Sequence, residues 1–233
     1  MHTAPAKLTL SLRITGVRGD GYHLLEAEMV TVDLVDELSI WAGEDGLEVT
    51  GAAADGVPVG GDNLVVKALA AVGRRARVAL HKRIPAGAGL GGGSADAAAV
   101  LRWAGCRDVE VAAPLGADVP FCLTGGRAMV RGVGDVVEPL PFEDRTFTLL
   151  IPPVAIATAA VYQAWDDLAG PTGDHGNDLE PAALAVAPEL ARWRDTLAAA
   201  TGKRPRLAGS GGTWFVEGAF AGADRIVVRT TRE

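Results

Sequence analysis

Cysteine and histidine are scarce in this chain of 233 residues. There are two cysteines, Cys106 and Cys122, and four histidines. Neither set has the close spacing that a zinc site or a disulfide framework needs. Unpaired cysteines suit a reducing compartment. We therefore expect a cytoplasmic protein without a structural metal.

Positive charge and long apolar runs are also lacking. The net charge is −7 at pH 7, which argues against a nucleic-acid partner. Residues 146–163 lie in the longest uncharged stretch, but they contain Pro152 and Pro153 and are too broken to form a helix that crosses a bilayer. Lys7 and Arg13 interrupt the first apolar run, so we expect no targeting signal. Neither nucleic acid nor membrane is an expected partner, and the choice between a monomer and a homodimer stays open.

Glycine is concentrated in one place. Five glycines, at positions 87, 89, 91, 92 and 93, lie between Pro85 and a helix-forming run that begins at Ala95. Glycine permits positive φ and a close approach to the backbone. A helix start adds free N–H groups and the positive end of a dipole. Together these features predict a site for an anion, most often phosphate.

Several glycine motifs have to be distinguished. A Walker A loop is excluded because no lysine follows the glycines. A dinucleotide fingerprint fits glycines 87, 89 and 92, with Asp108 or Glu110 as the ribose-binding acid. It should follow a strand directly, whereas residues 82–85 separate the loop from the strand predicted at 77–80. A glycine-rich turn capped by Ser94 is a third interpretation.

A fourth motif, P-x-x-x-G-L-G-[GS]-[GS]-[SA]-A, matches from Pro85 to Ala95 in order. It resembles the phosphate loop of the GHMP kinases, a superfamily of small-molecule kinases. The resemblance implies ATP as cofactor and Asn63 near its base, although Asn63 could equally be a helix cap. The other implied ATP-binding residues are Pro85, Gly87, Gly89, Leu90, Gly91, Gly92, Gly93, Ser94 and Ala95.

Further strings narrow the resemblance. In order they are residues 4–8 (APAKL), 20–23 (DGYH), 62–64 (DNL), 115–121 (LGADVPF), 177–180 (NDLE) and 209–211 (GSG). This set is similar to the family of 4-diphosphocytidyl-2-C-methyl-D-erythritol kinases. It implies transfer of the ATP γ-phosphoryl group, with Mg²⁺, to the 2-hydroxyl of that small-molecule substrate in the non-mevalonate isoprenoid pathway.

The resemblance also assigns roles. Lys7 and Asp118 are the implied catalytic pair. A carboxylate can accept the hydroxyl proton, and a lysine can offset charge on the moving phosphoryl group. The implied substrate-binding residues are Thr9, Tyr22, His23, Asp118, Thr158, Gly209, Ser210 and Gly211. Simpler alternatives are a turn cap for Asp118, core packing for Tyr22 and a hairpin turn for Ser210.

Two departures from the family pattern keep other functions open. Thr9 stands where the family string K-[IVL]-N-L has asparagine, and both segment 102–114 and the tail after Trp214 are short. A non-catalytic nucleotide-binding relative therefore stays an alternative. So do another GHMP kinase, acting on mevalonate, homoserine or a sugar, and a dehydrogenase.

Strands and helices are predicted without a regular βαβ rhythm, which favours the α+β class. The resemblance implies an N-terminal α/β ATP-binding domain at 1–142 and a C-terminal ferredoxin-like α+β domain at 143–233, with shortened helices. In detail, we predict separate strands at 24–34 and 37–41. We also predict a pair of short strands, 121–123 and 128–131, around Gly125 and Gly126.

Overall fold

The structure is a computed structural model that describes residues 1–232. Its strands are β1 (His2–Val17), β2 (His23–Ala42), β3 (Gly46–Thr50), β4 (Ala76–His81), β5 (Arg127–Gly132), β6 (Val136–Pro139), β7 (Thr146–Leu150), β8 (Arg206–Leu207), β9 (Trp214–Glu217) and β10 (Ile226–Arg229). Its helices are α1 (Leu64–Ala71), α2 (Gly92–Trp103), α3 (Val109–Ala112), α4 (Val119–Thr124), α5 (Thr158–Asp167), α6 (Glu180–Val186) and α7 (Leu190–Thr201). In this part of the chain, no helix has the length and apolarity required to cross a membrane.

The first sheet is organised around the long strand β2. Strand β1 pairs with it antiparallel along almost its whole length, while β5 and β4 pair with its two ends on the other side. The sheet continues through β3, which is parallel to β4, and β6, which is antiparallel to β5. Helix α2 packs against β1, so the glycine loop before it lies next to that strand.

The second sheet has the order β10-β7-β9-β8, with every neighbouring pair antiparallel. In chain order this is 4-1-3-2, the arrangement of a ferredoxin-like sheet. Helices α5, α6 and α7 form the crossover from β7 to β8. Between β9 and β10 the described chain has a loop instead of a second helix, which agrees with the short tail noted in the sequence.

Apolar residues from both sheets form one shared core cluster. Strands β1 and β2 contribute Ala6, Leu8, Leu10, Val30 and Val32, and the second sheet contributes Phe147, Leu149, Phe215 and Val228. The rings of Phe147 and Phe215 meet edge to face, with centroids 5.9 Å apart. Burial of these side chains fixes the two sheets against each other, while the site lies on the opposite face of β1. The predicted boundary at 142/143 falls between β6 and β7, and the division into two domains stays a prediction.

Two predicted strand features were wrong. Segments 24–34 and 37–41 are one continuous strand, β2, because Asp36 lies inside it with its carboxylate fully buried and paired. Residues 121–123 belong to helix α4, with Pro120 in its first turn, where proline is well tolerated. A short apolar run does not distinguish a buried helix from a strand. Strand β5 exists as predicted, but it pairs with β2 and β6.

Candidate active site

The glycine loop ends in an uncapped helix start. Gly91 is the N-cap of α2, with φ of +67° and no side-chain hydrogen bond to the first turn. The alternative of a turn capped by Ser94 is therefore wrong. Helix α2 begins at Gly92, earlier than predicted, and its first N–H groups lack a side-chain acceptor. This arrangement is suited to bind an anion.

Close packing holds the loop in place from two sides. A Cβ added at Gly91 would lie 2.8 Å from Cγ of Lys7, and one added at Gly89 would lie 2.5 Å from the carbonyl oxygen of Gly211. Thr213 donates from both its backbone N–H and its hydroxyl to the carbonyl of Ala88. Strand β1 and the 208–213 loop of the second half therefore enclose the glycine loop, and larger residues at Gly89 and Gly91 would push it away.

Lys7 and Asp118, the pair that the family resemblance implies, lie in contact. Strand alternation places Lys7 and Thr9 on the face of β1 opposite Leu8, which enters the shared core. The Lys7 Nζ lies 3.3 Å from Oδ2 of Asp118 and donates to the Thr9 hydroxyl at 3.1 Å. Asp118 is the N-cap residue of α4, yet its side chain makes no capping bond. The turn-cap interpretation of Asp118 is therefore not supported.

Lys7 and Asp118 border a cavity of about 470 Å³, and most of the predicted site residues line it. The predicted residues that line it are Lys7, Thr9, Pro85, Gly87, Gly89, Leu90, Gly91, Gly92, Gly93, Ser94, Asp118, Thr158, Gly209 and Ser210. The hydroxyls of Thr158 and Ser210 are 3.0 Å apart. Lys7 Nζ would lie 3.2 Å from a Cβ at Gly209, so the 209–211 loop reaches the Lys7 ammonium.

A second cavity, of about 580 Å³, adjoins the first and contains Tyr22 and His23. Ala117, Thr158 and Tyr162 line both cavities. Tyr22 is 62% exposed, which contradicts the core-packing alternative, and the guanidinium of Arg18 lies 5.2 Å from its ring centroid. One continuous cleft therefore runs from the glycine loop past Asp118 to an aromatic end.

Three predicted residues lie outside this cleft. Ala95 is fully buried inside α2, and Gly211 is backed by Ala183 and Leu207. Asn63 caps α1: its Oδ1 accepts from the Val65 N–H at 2.8 Å, and its Nδ2 donates to the Pro58 carbonyl at 2.6 Å. Asn63 borders a smaller cavity of about 160 Å³ on the other side of the loop.

Sequence reasoning missed Tyr162. It lies one helical turn after Thr158 on α5, and its ring centroid is 4.8 Å from that of His23. Burial raises the pKa of Tyr162 to about 12, with a further contribution from the nearby charge of Asp118. The i, i+4 spacing from Thr158 was the available signal.

A buried ion cluster beneath the glycine loop was also missed. The ammonium of Lys82 contacts the carboxylates of Asp36 and Asp96, and all three side chains are at least 96% buried. Asp36 also accepts from the backbone N–H of Arg83 and of Ile84. Because burial outweighs the attraction of Lys82, the pKa of Asp96 is raised to about 7, and repulsion from Asp36 adds to this shift.

The described residues do not form a set of metal ligands. In residues 1–232, no group of three or more His, Cys, Asp or Glu side chains is arranged to hold an ion. Asp118 is the one carboxylate among the described residues that line the cavity beside the loop. The oxygen atoms of Asp118 and Ser94 could contribute to an ion bound chiefly by phosphate and water.

Relatives match nearly the whole chain. A 4-diphosphocytidyl-2-C-methyl-D-erythritol kinase of Paracoccus denitrificans is 40% identical in an alignment 241 positions long. The alignment covers 94% of this chain and 86% of the relative. A kinase of the same name from Cereibacter sphaeroides is 41% identical in an alignment 247 positions long, which covers 94% of this chain and 88% of the relative. This chain belongs to the 4-diphosphocytidyl-2-C-methyl-D-erythritol kinase family. The GHMP kinases N terminal domain profile matches residues 63–126.

Solved structures agree with this family. A crystal structure of 4-(cytidine 5′-diphospho)-2C-methyl-D-erythritol kinase is 29% identical and superposes with a TM-score of 0.77, covering 98% of both chains. The mevalonate kinase of Methanococcus jannaschii has a TM-score of 0.60 at 12% identity, covering 100% of this chain and 99% of its own, which shows a common fold. The resemblance to GHMP kinases and the α+β class predicted from sequence are confirmed.

Proposed function

We propose that this protein transfers the γ-phosphoryl group of ATP to the 2-hydroxyl of 4-diphosphocytidyl-2-C-methyl-D-erythritol. The observation that carries the proposal is the contact between Lys7 and Asp118, 3.3 Å apart in a cleft with a glycine loop at one end and His23 at the other. The names of the family relatives supply the substrate.

The glycine loop is the proposed site for the ATP phosphates. Its uncapped helix start offers backbone donors without a competing side chain. Gly89, Gly91 and Gly92 have little room for added side chains, since a Cβ at Gly92 would lie 3.0 Å from Cγ2 of Ile84 and 3.1 Å from Nζ of Lys82. This packing keeps the backbone available to the anion. The adenine end is proposed to lie toward Asn63 and its small cavity.

Lys7 and Asp118 are the proposed catalytic residues. Phosphoryl transfer depends mainly on positioning and charge neutralisation. Asp118 orients the acceptor hydroxyl and takes up its proton, while Lys7 offsets negative charge on the transferred group. Thr9 shares the Lys7 ammonium and so helps to fix its position. Thr158 and Ser210 line the acceptor side of the pair.

His23 and the aromatic residues around it are the proposed site for the cytidine. The exposed ring of Tyr22 is available for stacking, and Tyr162 lies beside the His23 ring. Base and phosphates would then occupy opposite ends of the cleft, with the catalytic pair between them. This separation suits a substrate whose nucleotide portion is remote from the reacting hydroxyl.

Two further proposals, on the metal and on the location, accompany this function. Asp118 and Ser94 could supply oxygen ligands to Mg²⁺, which would offset phosphate charge when bound. A cytoplasmic location fits the free thiols of Cys106 and Cys122. A monomer and a homodimer stay equally open.

An ADP-release assay tests the function. The purified protein is given Mg²⁺-ATP with the cytidine substrate, mevalonate or homoserine in separate reactions. We expect substrate-dependent ADP release with the cytidine substrate alone. Release with mevalonate or homoserine, and none with the cytidine substrate, would refute the proposal.

A further inference from the structure

His23 is held by a residue from the opposite half of the chain. It opens β2, and its Nε2 lies 2.8 Å from Oδ1 of Asp166 on α5. Tyr162 and Trp165, from the same helix, contact the ring, with centroids at 4.8 Å and 5.4 Å. The imidazole is 9% exposed, so its orientation is fixed by packing and by one hydrogen bond.

This hydrogen bond determines what the other ring nitrogen can do. An ionised carboxylate only accepts hydrogen bonds, so Nε2 of His23 must carry the hydrogen. In the neutral ring, Nδ1 is then an acceptor. Within the described residues, Nδ1 has no hydrogen-bond partner, and His23 lines the aromatic end of the cleft. The site therefore offers a ligand one imidazole acceptor.

The position of Asp166 argues for a role beyond helix stability. Asp166 and Asp167 occupy the last turn of α5, which has no basic residue. A negative charge there opposes the helix dipole. Asp167 accepts from Gln163 on its own helix, at 3.1 Å, whereas Asp166 reaches His23 on another element. Asp166 thus lies at an electrostatically unfavourable place, where it can orient a cleft residue.

We propose that Asp166 is a positioning residue that fixes the His23 tautomer and thereby selects a pyrimidine with a 4-amino group over one with a 4-carbonyl group. Cytosine presents an N4 donor, which matches the Nδ1 acceptor, whereas uracil presents an O4 acceptor, which does not. This inference rests on the proposed cytidine substrate and identifies the residue that sets its base preference.

Three substitutions separate this role from a structural one. Asp166→Asn keeps the shape, but its amide can donate to Nε2 and favour the opposite tautomer, as amide substitution of a histidine-orienting carboxylate does in serine proteases. Asp166→Glu keeps the carboxylate and should rescue selectivity. Asp167→Asn makes the same charge change on the adjacent residue, which does not contact His23, and is the matched control.

Base preference is measured by calorimetry. Cytidine 5′-diphosphate and uridine 5′-diphosphate are titrated into each variant with a non-hydrolysable ATP analogue present to occupy the glycine loop. We expect wild type, Asp166→Glu and Asp167→Asn to prefer the cytidine nucleotide. In Asp166→Asn the ratio of the two affinities should fall by roughly 5- to 100-fold, the discrimination that a matched base contact provides. Similar melting temperatures would confirm intact folding.

The tautomer itself is measured by nitrogen NMR of the imidazole rings. The chain has four histidines, so a His23→Gln variant assigns the His23 signals. We expect the Nε2–H form in wild type and a shift toward the Nδ1–H form in Asp166→Asn.

The outcomes distinguish this inference from the proposed function. If wild type binds neither diphosphate, both are overturned. If wild type binds the cytidine nucleotide, but Asp166→Asn keeps its affinity ratio and its tautomer, only the role of Asp166 is overturned. An Nδ1–H tautomer in wild type would also overturn it.

Discussion

Asp118 starts helix α4 without capping it, so its carboxylate is available to Lys7 and to the cleft. Replacing it with asparagine preserves the shape and removes the proton acceptor. We expect Asp118→Asn to lower kcat by about 10²–10⁴-fold and to leave the Kd for ATP nearly unchanged. Steady-state kinetics and ATP calorimetry measure these effects. A kcat near that of wild type would exclude a proton-accepting role.

Thr9 is one of two oxygen partners of the Lys7 ammonium, at 3.1 Å, and is 2% exposed. Thr9→Val keeps the volume and removes the acceptor. A net hydrogen bond of this kind is worth roughly 0.5–1.5 kcal/mol, so kcat/KM should fall by about 2- to 12-fold. Thr9→Ser retains the hydroxyl and serves as the control. If both variants behave alike, Thr9 acts through packing and not through Lys7.

Tyr22 is exposed at the aromatic end of the cleft, where it can stack on a base. We expect Tyr22→Ala to raise the KM for the cytidine substrate by roughly 5- to 150-fold, because a base–aromatic stack is worth about 1–3 kcal/mol. The KM for ATP should change little. A thermal melt accompanies the kinetics. A lower melting temperature with an unchanged substrate KM would mean that Tyr22 serves the fold alone.

Local patterns predicted many of the elements. The Asn63 cap of α1 and the glycine loop before α2 each depend on neighbouring residues, and each forms as expected. The helical state of α4 and the continuity of β2 depend on contacts that are distant in the chain. Asp36 would end an isolated strand, but inside the fold Lys82 pairs with it. The Lys7–Asp118 contact was predicted only through the family resemblance.

The cluster of Lys82, Asp36 and Asp96 joins β2, the segment after β4 and helix α2. Its two carboxylates face one buried cation, and Oδ1 of Asp96 has no partner among the described residues. Burial raises the pKa of Asp96 from its ordinary value of 3.8 to about 7 in the folded protein, so between these pH values the folded protein binds a proton that the unfolded chain releases. The stabilising contribution of that proton is complete below the unfolded pKa and is lost as the pH rises through the folded one.

Asp96→Asn tests this linkage. The amide cannot ionise, so the variant should lose less stability than wild type as the pH rises from about 5 to about 8. Relative to wild type, its free energy of unfolding should improve by about 1–3 kcal/mol over this range. Urea unfolding at several pH values measures the difference. A difference that is constant with pH would show that Asp96 is already ionised in the folded state.

The cleft requires both halves of the molecule. Its glycine loop and Lys7 come from the first half, and Thr158, Ser210 and Asp166 come from the second. Each end of the proposed substrate site is completed by the second half, the loop end by Ser210 and the aromatic end by Tyr162. The shared apolar core behind β1 holds the two halves, and therefore these residues, in fixed relative positions. The cleft is therefore expected to be lost when the two halves separate.

Neither half can bury that core alone. Leu8 and Val30 from the first sheet meet Phe147 and Phe215 from the second, and each large apolar side chain contributes about 1.5–3 kcal/mol when fully buried. We expect a full chain cut at a protease site introduced within 140–145 to stay associated on gel filtration. Residues 1–142 and 143–233, produced separately, should each lack a cooperative melt, and mixing them should restore one. A cooperative melt of 1–142 alone would show instead that the predicted boundary separates two domains that fold independently. The shared core would then be an interface between them.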